Sequence, residues 1–406
     1  MNIESLLKNE RKYCCGCGAC ENICPADAIV LLPDETGFLY PKVDTAKCIE
    51  CRRCIEACNY KKHNEYISKE ITYAAVTQNT DVNQSSSGGA FSSLAYNILT
   101  YGGTVYGCTM TREDYGFNPH HIRICRTEDL WQLQGSKYVQ SEIGKVFKSV
   151  SEDLVNGKTV LFSGTPCQID GLYGYLGKEW ENLYTIDTIC HGVPSRELFN
   201  RYIRYEESKR KCRVENYVFR DKTTGWKLYG RMDLSKDNEL KQMHFEPEQS
   251  SYYQLFLNRY TYRENCYSCP FANRKRPADS TMGDFWNIDL AHPELSGNNG
   301  KLNWQKGVSA LIVNTDQGMR LMEQYGKGLA LYPSEYGKVA KYNKQLVQPS
   351  AKPGDYDEFR KICNNDYRII EQWYQRKMRL VHIRRTVSRV VPSGIKKIVR
   401  KLRKGK

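Results

Sequence analysis

The chain has 406 residues, 17 of them cysteines, and a formal net charge of +14. This length predicts two or three domains and excludes a protein made only of a small cysteine-rich module. The first residues lack the apolar stretch of a secretory signal, and no run of about 18 apolar residues occurs, so we expect a cytoplasmic protein without a transmembrane helix. In that compartment cysteines are more often metal ligands than disulfide partners.

Eight cysteines near the start of the chain form two runs with the same spacing. The runs are Cys14-x2-Cys17-x2-Cys20-x3-Cys24 and Cys48-x2-Cys51-x2-Cys54-x3-Cys58. This is the spacing of bacterial two-cluster ferredoxins, in which the fourth cysteine of each run ligates the cluster of the other run. We therefore predict one 4Fe-4S cluster on Cys14, Cys17, Cys20 and Cys58, and a second on Cys24, Cys48, Cys51 and Cys54. Structural zinc usually takes separated ligand pairs and disulfides need an oxidising compartment, so both alternatives explain the repeat less well.

Signals of secondary structure then follow in chain order. A short strand pair turned at Gly37 is predicted for 34–44, and a polar stretch at 61–70 ends a dicluster domain placed at 1–65. Beyond it, short apolar strands alternate with amphipathic helices, which indicates an α/β domain at 71–350. Strands are predicted at 71–78, 103–110, 121–126, 158–163, 183–189 and 308–314, and helices at 88–101, 141–156, 166–176, 252–262 and 315–325. Antiparallel strands are expected within 217–245, a flexible loop at 296–300, and a helical, basic tail at 355–406.

The predicted fold class is thus an α+β ferredoxin-like dicluster domain, a larger α/β domain and a basic amphipathic helical tail. In the tail, residues 376–406 contain 13 Lys or Arg and no Asp or Glu, so removing them from the total of +14 leaves +1 for the rest. Ile395, Ile398, Val399 and Leu402 share one helical face. Such a segment suits an anionic membrane surface, at roughly 1 kcal/mol per basic residue. A solvated tail is an equal alternative, and nucleic acid is the weaker one because no groove-reading motif is present.

Two loops of the α/β domain carry candidate chemistry. Residues 85–91, SerSerSerGlyGlyAlaPhe, precede a predicted helix, where backbone amides can bind a phosphate. From the spacing alone, a plain serine cap with flexible glycines is the better explanation. Cys167 and Cys190 follow neighbouring predicted strands, where open α/β sheets bind ligands.

Together with Cys266 and Cys269 these cysteines can converge on a third cluster. Buried thiols, with a zinc knuckle or no metal at the pair, are equally compatible with the spacing. His191 suits a proton donor near a redox centre or a packed histidine. The remaining cysteines lack partners at ligand spacing and are expected to be small buried hydrophobic residues; they are Cys108, Cys125, Cys212 and Cys363. Cys15 is expected to lie beside the first cluster without ligating it.

Several motifs taken together resemble the coenzyme F420 hydrogenase/dehydrogenase beta-subunit family. The resemblance runs from about Cys14 to Trp286 through the two cysteine runs and the segments SerSerGlyGlyAlaPhe, GlySerLysTyrValGln, SerGlyThrProCysGln, CysHisGlyValProSer, CysTyrSerCysPro and ThrMetGlyAspPheTrp. It implies FAD in the α/β domain and an inner 4Fe-4S cluster on Cys167, Cys190, Cys266 and Cys269. It also makes Ser87, Gly88, Gly89, Lys137 and Tyr138 candidates for flavin contact, and His191 and Asp284 candidates for an acid or base.

The activity implied by this resemblance is that of an iron–sulfur flavoprotein oxidoreductase. Clusters transfer one electron at a time and hydride chemistry moves two, whereas a flavin can do both. Electrons would pass between ferredoxin or another redox protein, the clusters, FAD and a small-molecule substrate. The alternatives are an electron-transfer subunit without a substrate of its own and a redox sensor. Because some family members occur beside surface-polysaccharide genes, work near lipid-linked glycans at the inner face of the membrane is a further hypothesis.

Overall fold

A computed structural model describes residues 2–8, 10–59, 66, 68–237, 239–296 and 300–390, without the side chains of 380–390. The chain forms two compact units, Met1–Gly354 and Asp355–Lys406. No helix in these ranges is both long and apolar enough to span a bilayer. The apolar tail face and most of the loop predicted at 296–300 lie outside the described residues, as does most of the polar stretch at 61–70.

The N-terminal region is a small α+β fold. Its helices are α1 (Ile3–Leu7), α2 (Ala19–Ile23) and α3 (Arg53–Glu56), and its strands β1 (Ile29–Pro33) and β2 (Leu39–Val43) pair antiparallel. The strand pair turned at Gly37 is confirmed, but its first strand lies earlier than predicted, because the apolar run at 29–32 pairs with β2 and 34–38 form the turn. Ile3, Ile29 and Val43 form a core among the cysteines.

A mixed eight-stranded sheet forms the centre of the first unit. The remaining strands are β3 (Ile71–Thr77), β4 (Thr104–Glu113), β5 (Gly116–Ile124), β6 (Val160–Gly164), β7 (Leu183–Thr188), β8 (Arg213–Val218), β9 (Gly230–Lys236), β10 (Glu239–Phe245), β11 (Ser280–Asp284), β12 (Ser309–Val313) and β13 (Leu329–Ser334). The sheet order is β13-β3-β12-β11-β7-β6-β4-β5, with β4, β6, β7 and β11 parallel and the other pairs antiparallel. The antiparallel strands expected within 217–245 form a separate sheet, β10-β9-β8.

Helices cover both faces of the large sheet. The helices of this region are α4 (Ala90–Thr100), α5 (Val146–Val155), α6 (Pro166–Leu176), α7 (Arg196–Arg210), α8 (Ser251–Leu257), α9 (Ile288–Ala291), α10 (Pro293–Ser296), α11 (Asp316–Tyr325) and α12 (Tyr336–Ala340). Successive strand residues point to opposite faces. Accordingly Leu161 packs in the core with α4 and α11, and its neighbours Val160 and Phe162 pack in the core with α5 and α6. The second unit contains α13 (Tyr356–Ile362) and α14 (Tyr367–Val390).

The predicted elements differ from the structure mainly at their ends. Helix α5 begins at Val146 instead of 141, because Gly144 has a positive φ of 53° and Glu142 pairs with β5. Strands β11 and β13 and helix α7 were not predicted. The expectation that Cys125 is buried is wrong: it follows β5 on the side opposite the buried Ile124 and is exposed.

Candidate functional site

The eight N-terminal cysteines gather into two sets. Each set lines a cavity of its own. One cavity is lined by Cys14, Cys17, Cys20 and Cys58, and the other by Cys24, Cys48, Cys51 and Cys54. This is the grouping that crossed ligation requires, with the fourth cysteine of each run in the other run's set. Among the described residues, no three His, Cys, Asp or Glu side chains converge where a single metal ion would fit. The assignment of individual ligands stays a prediction.

The donor chemistry of these sets suits iron. Burial raises the pKa of Cys20 well above its usual range, and the neighbouring thiols raise it further. Burial also raises the pKa of Cys14, against the opposing charge of Arg263. Sets of crowded thiols that would otherwise stay protonated become thiolates when they ligate a cation. All of these cysteines are free of disulfides.

A third set of cysteines meets at the ends of two parallel strands. Cys167 starts α6 directly after β6, and Cys190 follows β7. Cys266 belongs to a short 3-10 turn at Glu264–Ser268, which Cys269 follows. Burial raises the pKa of Cys190 to about 12 and that of Cys269 to about 11, and the charges of the other thiols in the set add to both shifts. The structure therefore brings together all four residues suggested for an inner cluster.

Cys15 connects this inner set to the first outer set. Its buried side chain interacts with Cys17 of the outer set and with Cys167 of the inner set. Hydrogen bonds to Cys167 and Cys17 raise the pKa of Cys15, ahead of the effect of burial, and the bond with Cys15 is the main cause of a lowered pKa at Cys167. The two sets are thus in contact through one thiol.

Helix α6 allows this close approach. A Cβ on Gly171 would lie 2.7 Å from Cys17 Sγ, and one on Gly174 would lie 2.2 Å from the Ala57 carbonyl oxygen. Distances below about 3 Å are not tolerated between such atoms, so the helix needs glycine at both positions. The helix that carries Cys167 at its start therefore packs its glycine face directly on the dicluster fold.

A cavity of about 350 Å³ opens next to the inner cysteines. Its volume lies in the range of small-molecule sites. The lining includes Cys167 and Cys190, and it also includes most other residues singled out in the sequence: Ser87, Gly89, Lys137, Tyr138, His191 and Asp284. Gly88 lies behind the wall, where its carbonyl oxygen accepts a hydrogen bond from the Thr77 amide at 2.7 Å. The cavity thus joins candidate flavin contacts to candidate cluster ligands.

The loops at 85–89 and 134–138, which carry the candidate flavin contacts, hold each other in place. The Ser86 hydroxyl accepts hydrogen bonds from the Ser136 amide at 2.7 Å and from the Ser136 hydroxyl at 2.8 Å. Lys137 follows, and its Nζ donates to the carbonyl oxygens of Gln134 and Gln132 at 2.7 and 3.3 Å. Burial lowers the pKa of Lys137 to about 8. A cation that is held only by carbonyl dipoles can accept an anionic ligand at neutral pH.

Asp284 forms a buried ion pair. Arg220 donates to its two oxygens at 2.7 and 3.2 Å, and Trp226 Nε1 donates at 3.0 Å. Arg220 also reaches the Tyr138 hydroxyl at 3.3 Å and the Ser86 carbonyl at 3.2 Å. The carboxylate therefore serves in this arrangement to hold Arg220 beside the loops at 85–89 and 134–138.

His191 lines the cavity, and its side chain is exposed there. Desolvation by the surrounding protein lowers its pKa, against the opposing charge of Asp284. The imidazole is therefore neutral near pH 7 and can accept a proton from a molecule in the cavity. Its role as an acid or base stays a prediction.

The domain composition is settled by two family models. Residues 13–62 match the 4Fe-4S dicluster domain, and residues 157–334 match the model for the C terminus of the coenzyme F420 hydrogenase/dehydrogenase beta subunit. Residues 157–334 of the α/β domain thus match the coenzyme F420 hydrogenase/dehydrogenase beta-subunit family. The resemblance noted in the sequence is thereby confirmed, and so is the presence of iron–sulfur clusters as a class. The chain thus combines a domain of this family type with an iron–sulfur electron-transfer module at residues 13–62.

Individual relatives cover smaller parts. One subunit of the Na(+)-translocating ferredoxin:NAD(+) oxidoreductase complex of Acetobacterium woodii is 49% identical over 51 residues, which are 13% of this chain and 14% of that relative. An uncharacterized ferredoxin of Methanocaldococcus jannaschii is 35% identical over 58 residues, 14% of this chain and 71% of the ferredoxin. A chain of the F420-reducing [NiFe] hydrogenase complex of Methanosarcina barkeri superposes with a TM-score of 0.44 at 12% identity, over 70% of this chain and 89% of that chain.

Several residues at the site were not identified as functional from the sequence alone. Arg220 and Cys108 border the site without a motif of their own, and His121 lies on a strand among ordinary polar residues. Ser86 and Gln140 lie within the motifs that carry the family resemblance, although neither was predicted to belong to the site. Their position beside predicted site residues was the only signal in the sequence that could have identified them.

Proposed function

We propose that this protein is an iron–sulfur flavoprotein oxidoreductase that passes electrons between its ferredoxin-type clusters and FAD to reduce or oxidise a small molecule. The observation that carries the proposal is the cavity itself. It is lined at once by Ser87, Lys137 and Tyr138 and by the inner cysteines Cys167 and Cys190. A redox cofactor bound there would be in contact with a metal site that in turn touches the dicluster fold through Cys15.

The residues present fit FAD in this cavity. Lys137 offers a cation to an anionic group, and the loop at Ser85–Ser87 borders the start of α4, where backbone amides favour phosphate. When bound, FAD would supply the exchange between single electrons and hydride chemistry. Arg220 would keep Asp284 from presenting an uncompensated negative charge to the ligand. His191, neutral near pH 7, would hold or release a proton at its ring nitrogen.

The four inner cysteines fit a third 4Fe-4S cluster. Their thiols share one buried site, and Thr165 Oγ1 lies 3.2 Å from Cys167 Sγ, where a hydrogen bond to a ligand sulfur would help set the potential. Electrons would then move between the two outer clusters, the inner cluster and the cavity. The external partner is proposed to be a ferredoxin or another redox protein.

The direct test is the stoichiometry of cofactors in protein purified without oxygen. About twelve irons with matching acid-labile sulfide and one FAD per chain are expected, because each cubane brings four irons. About eight irons without flavin would refute the enzyme and leave a two-cluster electron carrier. One FAD without turnover of any small molecule would favour a subunit that hands its electrons to a catalytic partner.

A further inference from the structure

Arg263 is a fully buried arginine, with 0% of its surface exposed. Its Nε donates to the Cys14 carbonyl oxygen at 2.8 Å and its Nη2 to the Leu39 carbonyl oxygen at 2.8 Å. Nη1 reaches Gln140 Oε1 at 3.3 Å. The guanidinium also lies over the Tyr40 ring, 4.2 Å from its centroid. Its position is therefore fixed by several elements at once.

The charge of Arg263 has no carboxylate partner among the described residues. Its contacts are carbonyl oxygens, an amide and an aromatic ring, which solvate a cation without neutralising it. An isolated buried charge costs several kcal/mol unless an opposite charge balances it. Arg220 and Arg276, two further buried arginines, have Asp284 and Asp187 for this purpose. Arg263 must therefore have another counter-charge.

The groups that face it are cysteine sulfurs, which become anionic when they ligate a metal. Nη2 lies 3.6 Å from Cys14 Sγ, and Cys15 and Cys266 are its further ionisable neighbours besides Tyr40. Cys14 belongs to the outer set and Cys266 to the inner set. The main chain of Arg263 is fixed on the inner side, because its carbonyl oxygen accepts a hydrogen bond from the Cys266 amide at 3.0 Å and its amide donates to the Val193 carbonyl oxygen at 2.9 Å. Arg263 stands between the two cysteine sets.

We propose that Arg263 is the counter-charge of the cluster on Cys14 and that it raises the reduction potential of that cluster. An electron at the junction of the outer and inner sites would then reside preferentially on this cluster. This inference rests on the proposed clusters. A donor on a ligand sulfur and a fixed cation both favour the reduced cluster, which carries one more negative charge. Arg263 acts through Cys14 and is a positioning residue that touches no substrate.

The test compares two arginines that contact the same ring. Arg11 also lies over Tyr40, 4.1 Å from the ring centroid, but it is 48% exposed and paired with Asp34. Arg263→Gln removes the buried charge and Arg11→Gln removes the exposed one. Each cluster is titrated with dithionite, accepts one electron without any bond forming or breaking, and is followed by EPR.

For Arg263→Gln, we expect the reduction equilibrium constant of one cluster to fall at least about tenfold, about 59 mV for one electron. For Arg11→Gln, the change should stay below about threefold, because solvent screens an exposed charge. Equal shifts in the two variants would overturn the inference. A protein that contains no EPR-active cluster would instead refute the proposed function.

A second measurement covers the case in which Arg263→Gln does not retain iron. In the otherwise unmodified protein labelled with ¹⁵N-arginine, the reduced cluster should show hyperfine coupling to an arginine nitrogen. This coupling should disappear in Arg263→Lys, which keeps a charge but loses the planar fork. Clusters that are present but show no arginine coupling would contradict the contact with Cys14.

Discussion

Alanine at Gly171 should disturb the junction between α6 and the first cysteine set. The added Cβ would lie 2.7 Å from Cys17 Sγ and 2.8 Å from Cys17 Cβ. Non-bonded contacts are comfortable at about 3.5–4.0 Å, so the helix or Cys17 has to move by roughly 1 Å. Because iron is predicted to hold Cys17, the movement strains either the cluster or the packing of α6.

Two effects of opposite sign decide the outcome. Replacing a helical glycine with alanine stabilises a protein by about 0.5–1 kcal/mol, whereas overpacking costs about 1–3 kcal/mol. The neighbouring atoms belong to a short side chain with no flexible end to yield, so crowding should prevail by roughly 1–2 kcal/mol. A weaker hold on Cys17 should also speed the loss of iron from this cluster.

The assay is anaerobic thermal unfolding together with the rate of iron release to a chelator. Gly337→Ala is the matched control, because a Cβ there, within α12, meets no heavy atom within 4 Å. The control should be neutral or gain up to about 1 kcal/mol. Gly171→Ala should unfold at a lower temperature than wild type and lose iron faster. If it matches the control in both measurements, the close packing of α6 on Cys17 is wrong.

Four further outcomes are expected. Burial lowers the pKa of His121 to about 4, whereas the unfolded state keeps the usual pKa near 6.5 and therefore binds a proton first as the pH falls. Between pH 6.5 and 5.5, wild type should lose about 1 kcal/mol more of its free energy of unfolding than His121→Gln. Equal losses in the two proteins would contradict this prediction. FAD affinity should weaken above pH 8 as Lys137 loses its charge. Lys137→Gln should bind FAD roughly tenfold or more weakly at pH 7, and its affinity should not change with pH. A pH dependence that the variant retains would contradict the role of Lys137. Cys266→Ser should reduce the iron from about twelve to about eight per chain while the EPR signals of the outer clusters persist, and unchanged iron would remove Cys266 from the ligands. Removing the tail beyond Arg376 should release the protein from anionic vesicles but leave its affinity for neutral vesicles unchanged; unaltered binding to both would refute a membrane role for the tail.

Local patterns explain which parts of the molecule the sequence predicted. The two runs have the spacing of two-cluster ferredoxins, in which the fourth cysteine of one run joins the other, so the grouping of Cys14 with Cys58 was predictable without any knowledge of the remaining fold. Helix α6 was predicted from Pro166 to Leu176, where proline and a polar cap begin the helix and glycine ends it. The same reasoning missed β11, because its five residues carry no alternating pattern.

Residues whose role depends on distant partners could not be predicted. Arg220 and Arg263 are isolated arginines in the sequence, and only the fold shows that one pairs with Asp284 while the other faces Cys14. Gly171 and Gly174 suggest a weak helix when read locally, although their absent side chains are what admit the dicluster fold. Long-range packing decides all four positions.

The order of strands in the sheet also affects the order in which parts of the protein can fold during synthesis. β3 opens the α/β domain but pairs with β12 and β13, more than 200 residues later in the chain. At about 5–20 residues per second, a ribosome needs roughly 12–50 s to supply the first of these partners. The N-terminal cysteines are complete by Cys58 and can take up iron during that interval. The inner set of thiols is complete only after Cys269 has been synthesised, so cofactors should be loaded at the outer sites first and at the inner site later. The cell would then have to deliver iron to the nascent protein in two separate steps.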